Sequence, residues 1–219
     1  MHSTIKNLLD IKNNIKFYLE KLNINTNPKI LAVSKTFEIN KILPLIEYGH
    51  LHYGENKVQE ALEKWSDIKL KKKDLKLHLI GKLQTNKVKQ AIKIFDYIHS
   101  VDSEKLAKKI ADEEIKQGKK IKIFIQVNIG NEEQKSGVNK SSVYELYSYC
   151  KAINLNVIGL MCIPPLTKSS DIYFKEMNIL NKNLNLNELS MGMSSDYLDA
   201  IKNSATYVRI GSNIFGQRS

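Results

Sequence analysis

Apolar residues alternate along the chain between short continuous runs and runs spaced three and four residues apart. The run 30–33 is continuous and follows Pro28, whereas Ile39, Ile42, Leu43 and Ile46 follow it at the spacing of one helical face. This pair predicts a buried strand followed by an amphipathic helix. The same alternation then repeats up to residue 210.

The full pattern predicts eight strands, at 30–33, 50–53, 77–80, 97–101, 121–127, 157–163, 188–191 and 206–210. A helical stripe follows each strand except the eighth, which only a short tail follows, and an amphipathic stretch at 8–22 precedes the first strand. Apolar strands joined by crossover helices are typical of parallel strands buried on both faces. We therefore expect an α/β fold, a (β/α)₈ TIM barrel with an extra N-terminal helix. A doubly wound open sheet is the main alternative.

No Pro-, Gly- or Ser-rich linker and no repeat divides the chain, so we expect residues 1–219 to form one barrel domain. Two cysteines, Cys150 and Cys162, provide no disulfide framework and fit a reducing compartment. The N-terminus lacks the apolar stretch of a signal peptide, and the longest uncharged run, 152–167, is too short to span a bilayer. These features predict a cytoplasmic protein without a membrane partner.

The net charge of +11 first suggests a nucleic-acid binder. The cations, however, are 32 lysines and only two arginines, and arginine is the better residue for forked contacts with phosphates and bases. Residues 64–93 hold ten lysines and two acids, so this window supplies most of the excess charge. We interpret it as a solvated face. Lys82 and Lys87, near the end of the third strand, could attract an anionic ligand to the barrel mouth.

In a TIM barrel the functional face lies beyond the C-terminal ends of the strands. Lys35 follows the first strand there, where a lysine can hold a carbonyl cofactor as a Schiff base if some of its amine is neutral. Glycine turns with hydroxyl residues follow the seventh and eighth strands, at 190–196 and 209–213. Such turns predict an anion cradle, and barrels often bind phosphate at this pair of loops. Ser194 or Ser195 could cap the helix predicted at 194–204.

Other candidate sites are weaker. His50 and His52 alternate on a strand and could chelate a metal, but no Cys, His or acidic cluster supports them, so we expect turn or core histidines and no metal site. Cys162 lies in an apolar strand and is expected to be a buried small hydrophobic residue.

Eight motifs occur in the order found in a known family: Ala32–Thr36, Tyr53–Asn56, His78–Gly81, Leu83–Lys87, Lys135–Gly137, Gly159–Met161, Ser190–Ser194 and Val208–Gly211. With them, the chain resembles the pyridoxal phosphate homeostasis proteins, single-domain relatives of the alanine racemase barrel, from about residue 30 to residue 216. Ser212 departs from the common threonine but keeps a hydroxyl group.

The resemblance implies pyridoxal 5'-phosphate as the cofactor, with Lys35 forming its internal aldimine. It also implies that Ser194, Gly211 and Ser212 hold the phosphate, that Arg209 faces the pyridine nitrogen, and that Asn56 and Met161 line the ring. A fixed cation beside that nitrogen disfavours its protonation, so the ring would be a weak electron sink.

These implications favour a carrier that buffers the cofactor or delivers it to apo forms of pyridoxal phosphate enzymes, with no catalytic residue of its own. Racemisation would need a second acid or base on the opposite cofactor face, which a further C-terminal domain helps to supply in alanine racemases. This chain ends eight residues after Gly211, so we also expect a monomer. An amino-acid racemase is the alternative, and a nucleic-acid binder using the lysine-rich window 64–93 is a third hypothesis.

Overall fold

The computed structural model describes residues 1–165 and 169–217. Eight parallel strands pair in chain order, and the last pairs with the first, so the sheet closes into a barrel. The strands are β1 (Lys29–Val33), β2 (His52–Glu55), β3 (Lys76–Leu79), β4 (Tyr97–Val101), β5 (Lys122–Asn128), β6 (Asn156–Cys162), β7 (Glu188–Met193) and β8 (Tyr207–Ile210). A two-residue strand, Val138–Asn139, pairs with the end of β5. The predicted closed barrel is confirmed, and the open-sheet alternative is wrong.

Helices follow the strands and cover the outside of the barrel. They are α1 (Ser3–Lys21), α2 (Ile39–Glu47), α3 (Val58–Lys71), α4 (Val88–Ile94), α5 (Glu104–Gln117), α6 (Val143–Ala152), α7 (Ser170–Asn183), α8 (Tyr197–Lys202) and α9 (Ser212–Phe215). Gly118 ends α5 in the left-handed conformation, with φ of +59°, which glycine adopts without steric cost. The extra N-terminal helix is confirmed as α1.

The apolar side chains form two cores. The larger lies between the barrel wall and the helices, and it includes Trp65 from the lysine-rich window and Phe95 just after that window. The smaller fills the inside of the barrel with Leu31, Tyr97, Phe124, Met161 and Tyr207. Burial of strand residues on both faces explains why the strands read as continuous apolar runs.

Two local predictions differ from the structure. Strand β2 begins at His52, so His50 lies before it, with its Nε2 2.9 Å from the His52 carbonyl oxygen. Helix α8 begins only at Tyr197, and neither Ser194 nor Ser195 caps it. The Asp196 side chain instead accepts a hydrogen bond from the Met193 amide, at 2.7 Å, and this bond holds the turn before the helix. The predicted serine cap is therefore wrong.

Both cysteines are free and buried, in agreement with the prediction for Cys162. Across residues 1–165 and 169–217, no helix has the length and apolar character needed to cross a membrane. The same residues contain no group of three or more side chains arranged to hold a metal ion. Residues 166 and 167 of the uncharged run lie outside the described part of the chain.

Candidate functional site

A cavity of about 600 Å³ opens at the C-terminal mouth of the barrel. Six of the seven predicted site residues line it: Lys35, Asn56, Ser194, Arg209, Gly211 and Ser212. Apolar side chains complete its walls: Val33, Phe37, Ile80, Ile163 and Met193. Cavities of this size and mixed character suit small organic ligands. The structure thus brings together residues from β1, the β2–α3 loop, and the ends of β7 and β8.

Met161, the seventh predicted residue, lies elsewhere. It is fully buried in the small core inside the barrel, with Phe124 and Tyr207, and it is not among the residues that line the cavity. This position does not support direct contact between Met161 and a ligand in the cavity.

Lys35 is held at the end of β1 by its two neighbours. The Ser34 hydroxyl donates to Glu55 Oε1, at 2.7 Å, and the Thr36 amide donates to Glu60 Oε1, at 2.6 Å. Thr36 has a φ of +67°, a left-handed conformation that a β-branched residue rarely adopts. Bonds on both sides of Lys35 therefore fix an unfavourable backbone turn, as often occurs at functional sites.

Lys64 connects these two carboxylates. Its Nζ lies 3.0 Å from Glu55 Oε1 and 2.9 Å from Glu60 Oε1, and it donates to the Ser34 carbonyl oxygen at 2.9 Å. Burial raises the pKa of Glu55, and the charge of Lys64 opposes that shift. The sequence places Lys64 in the lysine-rich window, where we interpret lysines as solvated. For this residue the interpretation is wrong, because three acceptors surround its amine and only 9% of its side chain is exposed.

Replacing Lys64 by alanine should lower the free energy of unfolding by about 3–5 kcal/mol, because Glu55 would keep a buried charge without its cation. Urea unfolding followed by circular dichroism measures the change. The matched control is Lys71→Ala on the exposed side of the same helix, which should alter stability by less than about 0.5 kcal/mol. Equal losses in the two variants would contradict the assigned role of Lys64.

The other nine lysines of the window 64–93 differ in their surroundings. Lys69 is also paired, with its Nζ 2.5 Å from Asp96 Oδ2. Lys82 is exposed and borders a second cavity of about 300 Å³ that adjoins the first and shares Asn56 with it. Lys135 also lines this second cavity, and its Nζ donates to the Pro164 carbonyl oxygen at 3.1 Å. Lys82 and Lys135 therefore place two cations beside the main cavity.

The turns after β7 and β8 lie side by side at one wall of the cavity. Asn213 joins them, since its side-chain amide donates to the Ser194 carbonyl oxygen at 3.0 Å. Gly192 has a φ of +87°, and a Cβ at Gly211 would lie 3.3 Å from the Val33 carbonyl oxygen. Glycine is therefore favoured by conformation at Gly192, near the end of β7, and by close packing at Gly211, in the turn after β8. The predicted pair of loops forms one wall, with hydroxyl groups from Ser194 and Ser212.

Arg209 is a buried cation at the inner end of the cavity, with 4% of its surface exposed. Its Nη1 donates to Ser190 Oγ at 2.9 Å and its Nη2 to the Cys162 carbonyl oxygen at 2.8 Å. Burial lowers the pKa of Arg209, which the charge of Asp196 partly opposes. Within the described residues no carboxylate forms an ion pair with it. A buried guanidinium with only neutral partners can accommodate an acceptor atom of a ligand.

Comparison with protein families agrees with this geometry. The family model described as "Alanine racemase, N-terminal domain" matches residues 7–219. In structure, the chain is similar to PipY of Synechococcus elongatus, solved with PLP bound, with a TM-score of 0.79 and 32% identity. That match covers 92% of this chain and 100% of the PipY chain.

Two curated relatives carry the same name. The pyridoxal phosphate homeostasis protein of Aquifex aeolicus is 42% identical over 200 residues, which cover 87% of each chain. That of Vibrio alginolyticus is 34% identical over 230 residues, covering 100% of this chain and 99% of the relative. The chain therefore belongs to the pyridoxal phosphate homeostasis protein family, within the alanine racemase N-terminal domain family.

Proposed function

We propose that the chain binds pyridoxal 5'-phosphate in the C-terminal cavity, as a Schiff base on Lys35, and takes part in cytoplasmic homeostasis of this cofactor. One observation carries the proposal. The cavity joins an amine at the end of β1, a buried cation on β8, and two turns that present hydroxyl groups and backbone. The three features match the three functional parts of pyridoxal phosphate, which are its aldehyde, its ring nitrogen and its phosphate.

Each of the three parts of the cofactor has a chemically suitable partner among the residues of the cavity. Ser194, Gly211 and Ser212 would hold the phosphate, since hydroxyl and amide donors at such turns suit a dianion. Arg209 would face the pyridine nitrogen as a donor, and Asn56 would border the ring. When bound, pyridoxal 5'-phosphate supplies an aldehyde with which a primary amine condenses, releasing water.

Arg209 also favours storage of the cofactor over its use in catalysis. A guanidinium that donates to the ring nitrogen keeps that nitrogen unprotonated, so the ring withdraws electrons weakly. Reactions that need a strongly stabilised carbanion are then disfavoured. We propose that the bound cofactor is buffered or passed to apo enzymes, and that the protein acts as a monomer.

Binding is tested by adding pyridoxal 5'-phosphate to the cofactor-free protein, followed by borohydride reduction and mass spectrometry. We expect one reduced adduct per chain, and no adduct after saturation would refute the proposal.

Delivery needs its own assay. The loaded protein is mixed with an apo-aminotransferase, and the reactivation rate is compared with the rate at which cofactor leaves the protein alone. Reactivation faster than this release supports direct transfer, and equal rates indicate buffering through free cofactor.

An amino-acid racemase remains the alternative, because the Schiff-base lysine is common to both functions. Chiral analysis of alanine and serine after long incubation distinguishes them. Turnover that disappears in a Lys35→Ala variant would favour the racemase.

A further inference from the structure

A line of hydrogen-bonded side chains crosses the inside of the barrel from one mouth to the other. It starts at Arg209 Nη1, which donates to Ser190 Oγ, and Ser190 Oγ lies 2.9 Å from His99 Nδ1. His99 Nε2 lies 2.9 Å from His78 Nδ1, and His78 Nε2 lies 2.9 Å from His52 Nδ1. The first four residues are buried, whereas His52 is half-buried. The line thus joins the C-terminal cavity to the N-terminal mouth.

Arg209 supplies the first donor of this line. A guanidinium donates but does not accept, so Ser190 Oγ accepts from Arg209, and the Ser190 hydrogen is available for donation to His99 Nδ1. Burial holds the pKa of both His99 and His78 well below the ordinary histidine value, so both rings are neutral. A neutral imidazole has one donor and one acceptor nitrogen. If Ser190 donates to His99 Nδ1, each histidine carries its proton on Nε2, and the Nε2–H group of His52 is the donor end of the line. If Ser190 instead accepts from His99, the protons lie on Nδ1.

His52 borders a cavity of about 610 Å³ at the N-terminal mouth. Three lysines, one from the start of each of β1, β3 and β5, also line it: Lys29, Lys76 and Lys122. They are close enough to His52 that each lowers its pKa, after the larger effect of burial. Among the described residues that line this cavity, Glu188 is the single carboxylate, 3.6 Å from Lys29. The cavity therefore has an excess of positive charge.

Two of these lysine amines lie close to tyrosine side chains at the N-terminal mouth. Lys29 Nζ lies 4.6 Å from the centre of the Tyr207 ring, and Lys122 Nζ lies 3.3 Å from the Tyr97 hydroxyl oxygen. Both tyrosines line the same cavity. The tyrosine rings thus form the apolar base of the cavity, and the lysine ammonium groups lie around its opening. Such an arrangement fits an anion attached to a small organic group.

We infer that the N-terminal mouth is a second anion site, for a phosphate group held by Lys29, Lys76, Lys122 and the Nε2–H of His52. We further infer that its occupancy is transmitted through His78, His99 and Ser190 to Arg209. An anion that accepts from His52 strengthens the donor character of that ring, and each hydrogen bond polarises the next. The site does not depend on the proposed cofactor function, because it lies at the opposite end of the barrel.

The direction of the line is tested without any substitution. The chain has five histidines, so ¹⁵N-labelled histidine rings can be assigned by NMR in the cofactor-free protein. We expect His52, His78 and His99 as neutral rings protonated on Nε2. A proton on Nδ1 of His78 or His99 would overturn the inference.

Anion binding is tested by titrating inorganic phosphate and, separately, phenyl phosphate at constant ionic strength, with the His52 ring as reporter. In the Lys29→Gln/Lys76→Gln/Lys122→Gln variant, the dissociation constant should rise about tenfold or more. The matched control removes three exposed helical lysines, Lys105, Lys175 and Lys182, and should bind as the wild type does. No saturable binding, or equal weakening in both triple variants, would overturn the site. Tighter binding of phenyl phosphate would identify a phosphomonoester, and equal binding would identify the phosphate group alone.

Transmission is tested in a His78→Phe variant, which breaks the line but keeps the lysines. Phosphate should shift the ring signals of His99 and the side-chain nitrogen signals of Arg209 in the wild type. In the variant, His52 should still respond and the other two should not. The chain has only two arginines, so the Arg209 signal is readily assigned. An unchanged response in the variant would refute transmission, and if the variant does not fold, the wild-type proton positions still test the line.

Discussion

Replacing Lys35 by alanine should abolish the covalent adduct with pyridoxal 5'-phosphate. Among the residues that line the C-terminal cavity, Lys35 provides the primary amine, and no alanine can condense with an aldehyde. The variant should keep weak, non-covalent affinity, because the turns after β7 and β8 are unchanged. Borohydride reduction followed by peptide mapping measures the adduct, and absorbance before reduction reports the Schiff base.

Lys135→Ala is the matched control for this experiment, because Lys135 lines the adjoining cavity and is also a half-buried lysine. It should form the adduct to the wild-type extent. If the Lys35→Ala variant retained the same Schiff-base absorbance and the adduct mapped to another lysine, the assignment of Lys35 would be wrong.

The barrel was predictable from the sequence because burial on two faces leaves a clear pattern. Strand β4 matches its predicted range of 97–101, and the strong apolar run 121–127 lies within one residue of β5. Polar turns and helical stripes separate the strands. Counting eight such units is enough to favour a closed barrel over an open sheet.

The polar line inside the barrel was not predictable from local pattern. His78, His99 and Ser190 each occupy the third position of a short strand whose other residues are mostly apolar. Taken alone, each of these three residues is interpreted as a core or turn residue. The three side chains meet because the closed barrel arranges β3, β4 and β7 around one axis. Which strands pair to close the barrel is determined by tertiary structure.

The surroundings of Lys64 show the same limit. The helical spacing of α3 correctly predicts the buried face that contains Trp65, but it assigns the neighbouring lysine to solvent. Glu60 lies one helical turn before Lys64, but the other two acceptors, Ser34 and Glu55, come from the ends of β1 and β2, 30 and 9 residues away. Lysine at the edge of a helical stripe can reach a buried carboxylate, and only the three-dimensional arrangement shows that it does.

Below about pH 6.5 the protein should lose stability steeply, because the fold keeps several histidines neutral. Burial lowers the pKa of His50 to about 4 and holds those of His78 and His99 well below 6.5. The unfolded chain binds protons on these rings and the folded chain does not. The stabilisation is therefore fully present above the unfolded value and is lost as the pH falls toward the folded one.

The expected size of the stability loss at low pH follows from proton linkage. His52 also contributes, because burial lowers its pKa to about 4. Each of the four histidines removes about 1.4 kcal/mol for every pH unit below about 6.5, so together they remove about 5–6 kcal/mol per unit. Glu55 and Asp102 act in the opposite direction, because burial raises their pKa values. Domains are commonly stable by about 5–15 kcal/mol, so acid unfolding is expected at about pH 4–5.

Urea unfolding of the cofactor-free protein, followed by circular dichroism across this pH range, measures the loss. A His50→Gln variant keeps a side-chain donor for the His52 carbonyl group but has no ring to protonate, so its stability should fall less steeply, by about 1.4 kcal/mol per pH unit. His2→Gln, at the exposed start of α1, is the control for replacing a histidine outside the barrel. Because the His2 side chain caps α1, the pH slopes of the variants are compared and not their absolute stabilities. A wild-type stability that stayed constant from about pH 7.5 to about pH 4.5 would contradict neutral histidines inside the barrel, because their protonation in the unfolded chain must lower it.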